Sequence, residues 1–516
     1  MKNKGNMGWR MKSKIFNAGN RLINVLFFIF IVSALLFALT SPNLIIGDNQ
    51  TLGTSTTLVT TYLVLSAVAL FIALYCHPKL QRSFKWLFVK NRMIAITIFI
   101  IVVLVWQVTF VHFLHPAIGW DVSAIHDALT DNMSPEILAY YSLNQNNLPL
   151  LLWQHQLSEW FSTTSWLFFD FVTLFLVDLS VLLNVLSIRL LARNYLFPSI
   201  YLQGIWLLVF PWIIVPYTDT WVLPFVSSSL FFYALMNKKK LNLKYRAVGA
   251  IAMAVVATLG YFIKPSALIP IIAILLIELV SFFEKKWQSK GRLVLLLIAV
   301  LTAGVTYAVC NQLLEKQQYI TIDESRGIPM IHFMNIGLTN DGGYSAEDAQ
   351  AMAKLPSKEA KIAYSKEKIH ERLKERGILG YLNFLFQKHR NNTSDGTFAW
   401  LKEGSFIKER EIPTGKGYSG WLEEWYYLYG ERIADFRFIA QIWWVTCLFF
   451  IVFGWKYQGK FEQMLRLSLV GGFIFLLLFE GGRSRYLIQF LPIFLLLASL
   501  SMDNSINFIK RLFASK

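Results

Sequence analysis

Few side chains in this chain are placed to do chemistry, and most of them sit where apolar runs end. Asp121 follows a long apolar run directly, in a stretch (115–165) with five acids and no Lys or Arg. Asp219 opens a later run, Lys264 closes another, and Glu480, Arg483, Arg485 and Tyr486 precede or begin the last one. Ionisable groups at or inside membrane segments are costly and are functional candidates for that reason. Carboxylates and cations gathered at one membrane face suit the breaking of a bond to phosphate. Lys and Arg stabilise the charge that builds on the leaving group, and a carboxylate takes the proton of an attacking hydroxyl. A lipid-linked sugar phosphate fits such a place, with its tail in the bilayer and its phosphate at the interface.

Each of these residues also has a plainer reading. Asp121 would cap the short helix expected over 122–131, where Val122, Ile125 and Leu129 recur at helical spacing. Asp219 would cap the run it opens. Lys264 would reach toward headgroups, and Arg483 and Arg485 would bind lipid phosphates. His126 and His155 read as structural histidines. Asp178 and Glu278, inside apolar runs, are the hints of a polar path through the membrane.

The elements that must hold these groups are set by composition. Of 516 residues, 55% are apolar and only 16% charged, where a soluble protein would carry about 25%. A bilayer core takes about 20 apolar residues per helix. Twelve runs qualify or nearly so: 22–42, 57–76, 93–114, 167–190, 195–214, 217–236, 247–263, 266–284, 293–314, 438–455, 466–479 and 485–502. Helices satisfy their own backbone in lipid, so the expected fold is all-α, a polytopic bundle of about 12 helices. In that arrangement 28 of the 49 Lys and Arg fall on one side. The other side is nearly bare of them outside 315–437, where 18 basic residues face 18 acids. The bias predicts cytoplasmic termini. It reads the net charge of +17 as topology and contact with the bilayer, with no nucleic-acid partner. The first run lacks a small-residue cleavage site and reads as a retained anchor. Lys/Ile/Asn-rich usage fits a Gram-positive bacterium of low GC content.

The expected organisation is a tail and two extra helices (1–92), a core (93–314) with first external loop 115–165, an extracytoplasmic loop domain (315–437), and a C-terminal set of three helices with a tail (438–516). Residues 140–161 read as an interfacial or re-entrant helix. Residues 357–376 read as an exposed, charge-paired helix stopped by Gly377. Segments 395–406 and 417–432 are rich in Gly and aromatics, which suit sugar rings or an aromatic belt at the interface. Phosphate loops and the HExxH and GxSxG patterns are missing from the sequence. The three cysteines have neither zinc spacing nor a disulfide pattern.

Together, the first-loop Asp121, the interfacial helix behind it, Pro216-Tyr217-x-Asp219, Lys264-Pro265 and Arg485-Tyr486 resemble the GT-C membrane glycosyltransferases. The likeness is to the protein mannosyltransferase and aminoarabinose-transferase groups and runs over about residues 93–502. It implies Asp121 as general base and a polyprenyl-phosphate-linked sugar as donor. The acceptor it implies is a cell-envelope glycan such as a cell-wall glycopolymer, a lipid or a protein. On this reading Lys264, Arg483, Arg485 and Tyr486 hold the donor phosphate, and Asp127, Asp219, Glu480, Trp400 and Trp421 shape the sugar or acceptor pocket. No cofactor is required, and a divalent metal is possible. The chain departs from the pattern by two additional helices before the loop and by lacking an acidic neighbour next to Asp121. Competing expectations are a polymerase or ligase of lipid-linked glycans, a lipid or glycan transporter, and a non-catalytic partner in an assembly complex.

Overall fold

The computed structural model describes residues 2–238, 240–282, 290–340, 342–343, 345–402, 406–408, 411–453 and 459–514. The ends of the expected spans 266–284 and 438–455, and part of 395–406, lie outside the described residues. The protein is an all-α polytopic membrane protein. Its strands are Asp48–Asn49 and Thr54–Ser55, paired antiparallel. Nine helices among the described residues are long and apolar enough to cross a bilayer. The last of them forms the centre, with Leu491 and every residue from Ile493 to Leu496 fully buried. Leu58–Cys76, by contrast, turns most of its apolar side chains outward, as a lipid-facing helix does.

Three of the twelve expected spans are broken or shortened, and proline accounts for the breaks. The run 195–214 becomes the helix Leu196–Leu208 and a 3-10 turn at Pro211–Ile214. The run 217–236 becomes Thr218–Trp221 and Leu223–Met236, with Pro224 in the first turn of the second. The run 266–284 starts as a 3-10 turn at Pro265–Leu268 and continues as Ile269–Phe282. Proline lacks the N–H and clashes with the preceding turn, so it starts helices and does not continue them. Broken backbone at membrane depth survives only where protein buries it or it lines a cavity. In the first two breaks it is buried, as is every residue from Phe210 to Pro224.

The connections that carry the candidate residues meet at one end of the bundle. Gln154 donates to the Pro216 carbonyl at 2.9 Å, Trp212 Nε1 to that of Thr397 at 3.1 Å, and Gly482 N–H to that of Gly342 at 2.8 Å. The expected interfacial segment is two short helices, Pro135–Leu143 and Leu148–Phe161. The second buries Leu148, Leu150 and Leu151 and exposes Trp160 and Phe161.

The charge-paired helix forms, but Gly377 does not end it. Helix Lys358–Thr393 breaks at Gly377 (φ 58°, ψ −177°) and then resumes. The resumed part enters the bundle: Phe386 lies 4.9 Å from Phe37, edge to face, and His389 lies 5.2 Å from Phe30. Lys388 Nζ donates to the carbonyls of Gly337 at 2.7 Å and Leu477 at 3.0 Å. Part of 315–437 is thus packed among the membrane helices.

The dihedrals at Gly377 belong to a region that side chains rarely enter. Gly377→Ala should therefore destabilise the joint by on the order of 1–3 kcal/mol, read as faster limited proteolysis near residue 377 in detergent. An unchanged cleavage rate would show that the joint does not need glycine.

Candidate functional site

Asp121 is presented by a strained turn. Gly119 occupies the N-cap of helix Trp120–Asp127, so Asp121 stands in the first turn and is not the cap. Trp120, at φ 57°, is a non-glycine residue in the left-handed region, a conformation that needs support from its surroundings. The large loop supplies it. Ile407 pairs with Ile118, Gly119 N–H donates to the Phe406 carbonyl, and Lys408 N–H to the Ala117 carbonyl, both at 2.8 Å.

The Asp121 carboxylate accepts two phenol hydrogen bonds, from Tyr140 at 2.8 Å and Tyr217 at 3.1 Å. Asn147 donates to the Tyr140 oxygen at 2.6 Å. Burial first, and then the nearby Asp121 charge, push the Tyr140 hydroxyl well above its usual range, so it remains a donor.

Tyr217 links Asp121 to the charged cluster, lying within electrostatic range of Asp121, Arg485, Asp219 and Tyr486. Asp219 is fully buried and ion-paired with Lys264. Its second oxygen lies 3.5 Å from Arg485 Nε. Lys264 and Arg485 both approach the Tyr486 ring, at 5.4 and 5.1 Å from its centroid. Glu480 is within electrostatic reach of Lys264, Asp219, Arg485 and Lys388. Burial raises its carboxyl, Asp219 adds to the rise, and the cations oppose it. Asp121, Asp219, Lys264, Glu480, Arg485 and Tyr486 thus belong to one neighbourhood drawn from four separate connections. Arg483 lies on the same turn, its N–H donating to Gly481 at 3.0 Å.

Other candidates stand elsewhere. Trp400 is fully buried, packed against Trp212 and Phe406, with its N–H given to the Tyr426 carbonyl. Its rings have no face left for a sugar, so the expected stacking role is corrected to a structural one. Asp219 is corrected in the same sense: its oxygens face Lys264 and Arg485, and it is closed to a sugar hydroxyl. Trp421 is half-exposed and stacks on Tyr418 at 5.5 Å. Asp127 pairs with Lys408 at 2.8 Å, beside a shallow cavity that includes Trp120 and Tyr140. His126 is structural: it stacks on Trp166 at 3.9 Å and its Nε2 donates to the Thr164 carbonyl at 2.7 Å. Asp178 takes a hydrogen bond from Gln107 at 2.9 Å, whereas Glu278 pairs with Lys460 at 2.7 Å. No group of three or more metal-ligating side chains occurs among the described residues.

One organising residue was not anticipated. Asp395, buried, accepts from Asn43 at 2.8 Å, from Thr397 N–H at 3.0 Å and hydroxyl at 2.8 Å, and from Ala399 N–H at 2.9 Å. It pairs with Lys402 at 3.2 Å and accepts from Ser484 at 3.4 Å, and Ser484 lies between Arg483 and Arg485. Burial would raise its carboxyl, but Lys402 and the Thr397 and Ala399 bonds hold it at about 2. It stabilises a turn in which Phe398, Ala399 and Leu401 all have positive φ. The Asp-Gly-Thr sequence was the available signal, but segment 395–406 was read for its glycines and aromatics and not for its acid.

Fold and site together define a polytopic membrane protein with a buried, charge-paired polar cluster at one end. The chain belongs to the family described as conserved hypothetical integral membrane protein, which matches residues 15–506. None of the curated proteins matches it. Among solved structures it is similar to ArnT from Cupriavidus metallidurans bound to undecaprenyl phosphate, at 12% identity and a TM-score of 0.31 over 80% of this chain and 77% of that one. The apo form of the same protein gives 11% identity and 0.31, over 80% and 78%.

Asp395→Asn should leave Lys402 without its counter-charge and destabilise the protein by on the order of 3–5 kcal/mol, measured as a lower melting temperature in detergent. Because the folded carboxyl titrates at about 2, below its unfolded value, the wild-type advantage is complete above about pH 4 and fades as pH falls through about 2. Equal melting of the two proteins at pH 7 would remove Asp395 as the hub.

Proposed function

We propose that the chain is a membrane glycosyltransferase of GT-C type. It moves a sugar from a polyprenyl-phosphate donor to a cell-envelope acceptor, at the extracytoplasmic end where Asp121 lies. The observation that carries this reading is the link through Tyr217: a doubly hydrogen-bonded carboxylate stands beside two cations stacked on one tyrosine ring. In the proposed step an acceptor hydroxyl attacks the anomeric carbon and gives its proton to Asp121. The bond between that carbon and the phosphate oxygen breaks, and the electron pair leaves with the polyprenyl phosphate. Lys264 and Arg485 take up the developing charge, with Arg483 and Tyr486 alongside. Asp219 positions the two cations, and Glu480 adjusts the local charge. The placement of the site outside the cytoplasm rests on the Lys/Arg-rich connections of the opposite end. Residues 315–437 would select the acceptor.

A transporter would need a polar path through the bundle. Asp178 and Glu278 do not form one, since each is satisfied by a different local partner. A lipid-linked glycan polymerase or ligase would use the same cations and differ in its donor.

Purified protein, radiolabelled polyprenyl-phosphate sugars and envelope extract test the proposal. Asp121→Asn should lower transfer about 10²–10⁴-fold with donor binding retained, and Lys264→Gln with Arg485→Gln should weaken donor binding as well. Asp178→Asn should transfer at close to the wild-type rate. Equal transfer by wild type and Asp121→Asn would remove Asp121 from the mechanism, and loss of all function in Asp178→Asn would favour transport.

A further inference from the structure

At the other end of the bundle, helix Lys290–Glu315 packs along Leu243–Ile263, while Ile269–Phe282 leans on Lys460–Phe479. The divergence leaves a crevice between the first pair and Ile269–Phe282, lined by apolar side chains such as Met253, Ala257, Ile274 and Ala299. Apart from Thr258 at the far end, its polar residues stand at one end: Asn237, Arg246, Glu278 and Arg292. Arg246 and Arg292 lie in the first turns of their helices, where membrane spans meet water. The floor runs from Arg246 to Thr258, about 18 Å of helix at 1.5 Å per residue. That is a little more than half of a hydrocarbon core about 30 Å thick, the depth of one leaflet.

Among the described residues the charge at the mouth is positive. Glu278 is already engaged, accepting from Tyr233 at 2.8 Å and paired with Lys460 at 2.7 Å. Arg246 is held in place by its Nε bond to the Met236 carbonyl at 2.6 Å. Two guanidinium groups therefore stand over an apolar slot of acyl-chain depth. Guanidinium matches phosphate oxygens, a free phosphate has no use for the slot, and a zwitterionic headgroup would bring a third cation to the arginines.

We propose that this crevice binds one acyl chain of an anionic glycerophospholipid, with its phosphate held by Arg246 and Arg292. The site shares no residue with the Asp121 neighbourhood and stands whether or not the chain transfers sugars.

Native mass spectrometry of the full chain in detergent tests it, with phosphatidylglycerol, phosphatidylcholine of the same chains, or a polyprenyl phosphate added at equal concentration. The wild type should retain phosphatidylglycerol about tenfold more than phosphatidylcholine. The double variant Arg246→Gln/Arg292→Gln should lose that preference, and Ala257→Trp, which fills the slot, should retain neither lipid. Should Ala257→Trp fail to fold, the arginine variant still decides. Equal retention of the two phospholipids by the wild type, a preference that survives the double variant, or displacement of phosphatidylglycerol by the polyprenyl phosphate would each overturn the assignment.

Discussion

A single buried carboxylate, Asp219, organises the charged end of this bundle. It has no exposure, and it sits against Lys264 and Arg485, which come from helices far apart in the chain. Two cations in a poorly solvated place repel each other and forgo hydration, and a shared counter-ion makes their approach tolerable. The pair is then held close to one tyrosine ring, that of Tyr486, as a fixed positive surface at this end of the bundle.

That arrangement depends on broken helices. A continuous helix through 217–236 would carry Asp219 on regular backbone, and one joining 247–263 to 266–284 would do the same for Lys264, with every N–H satisfied internally. Proline interrupts both, and the turns so formed bring Tyr217, Asp219 and Lys264 together under cover of their neighbours. Asp121 reaches the same place by a different route, a left-handed residue at Trp120 held by a strand-like pairing with 406–408. The large loop is therefore part of the frame of the site, through that pairing and through Asp395 and Ser484.

Sequence reasoning reached the class of the fold because long apolar runs leave few alternatives to helices. It also reached the gathering of Asp121, Asp219, Lys264 and Arg485 at one end, because alternating spans fix which connections share a side. Helix lengths were less legible: hydropathy counts apolar residues and does not register the prolines that shorten 195–214, 217–236 and 266–284. The continuation of the helix beyond Gly377 was hidden because 378–393 is too short and too polar to resemble a span, and its place depends on tertiary contacts with Phe30 and Phe37. Trp400 and Asp219 show the complementary limit. An aromatic beside glycines or an acid at a helix start looks accessible in sequence, and only packing reveals that both are sealed. The phenol clamp of Tyr140 and Tyr217 on Asp121 joins residues from two connections, and spacing carries no trace of it.

The central claim is that a carboxylate and two cations, distant in sequence, surround the headgroup of one lipid carrier. An experimental structure of the full chain with a polyprenyl phosphate bound tests this most directly. The account predicts phosphate oxygens within hydrogen-bond distance of Lys264 and Arg485, with the Asp121 carboxylate opening onto the same cavity. A phosphate seated away from both cations, or separated from Asp121 by packed helices, would contradict it.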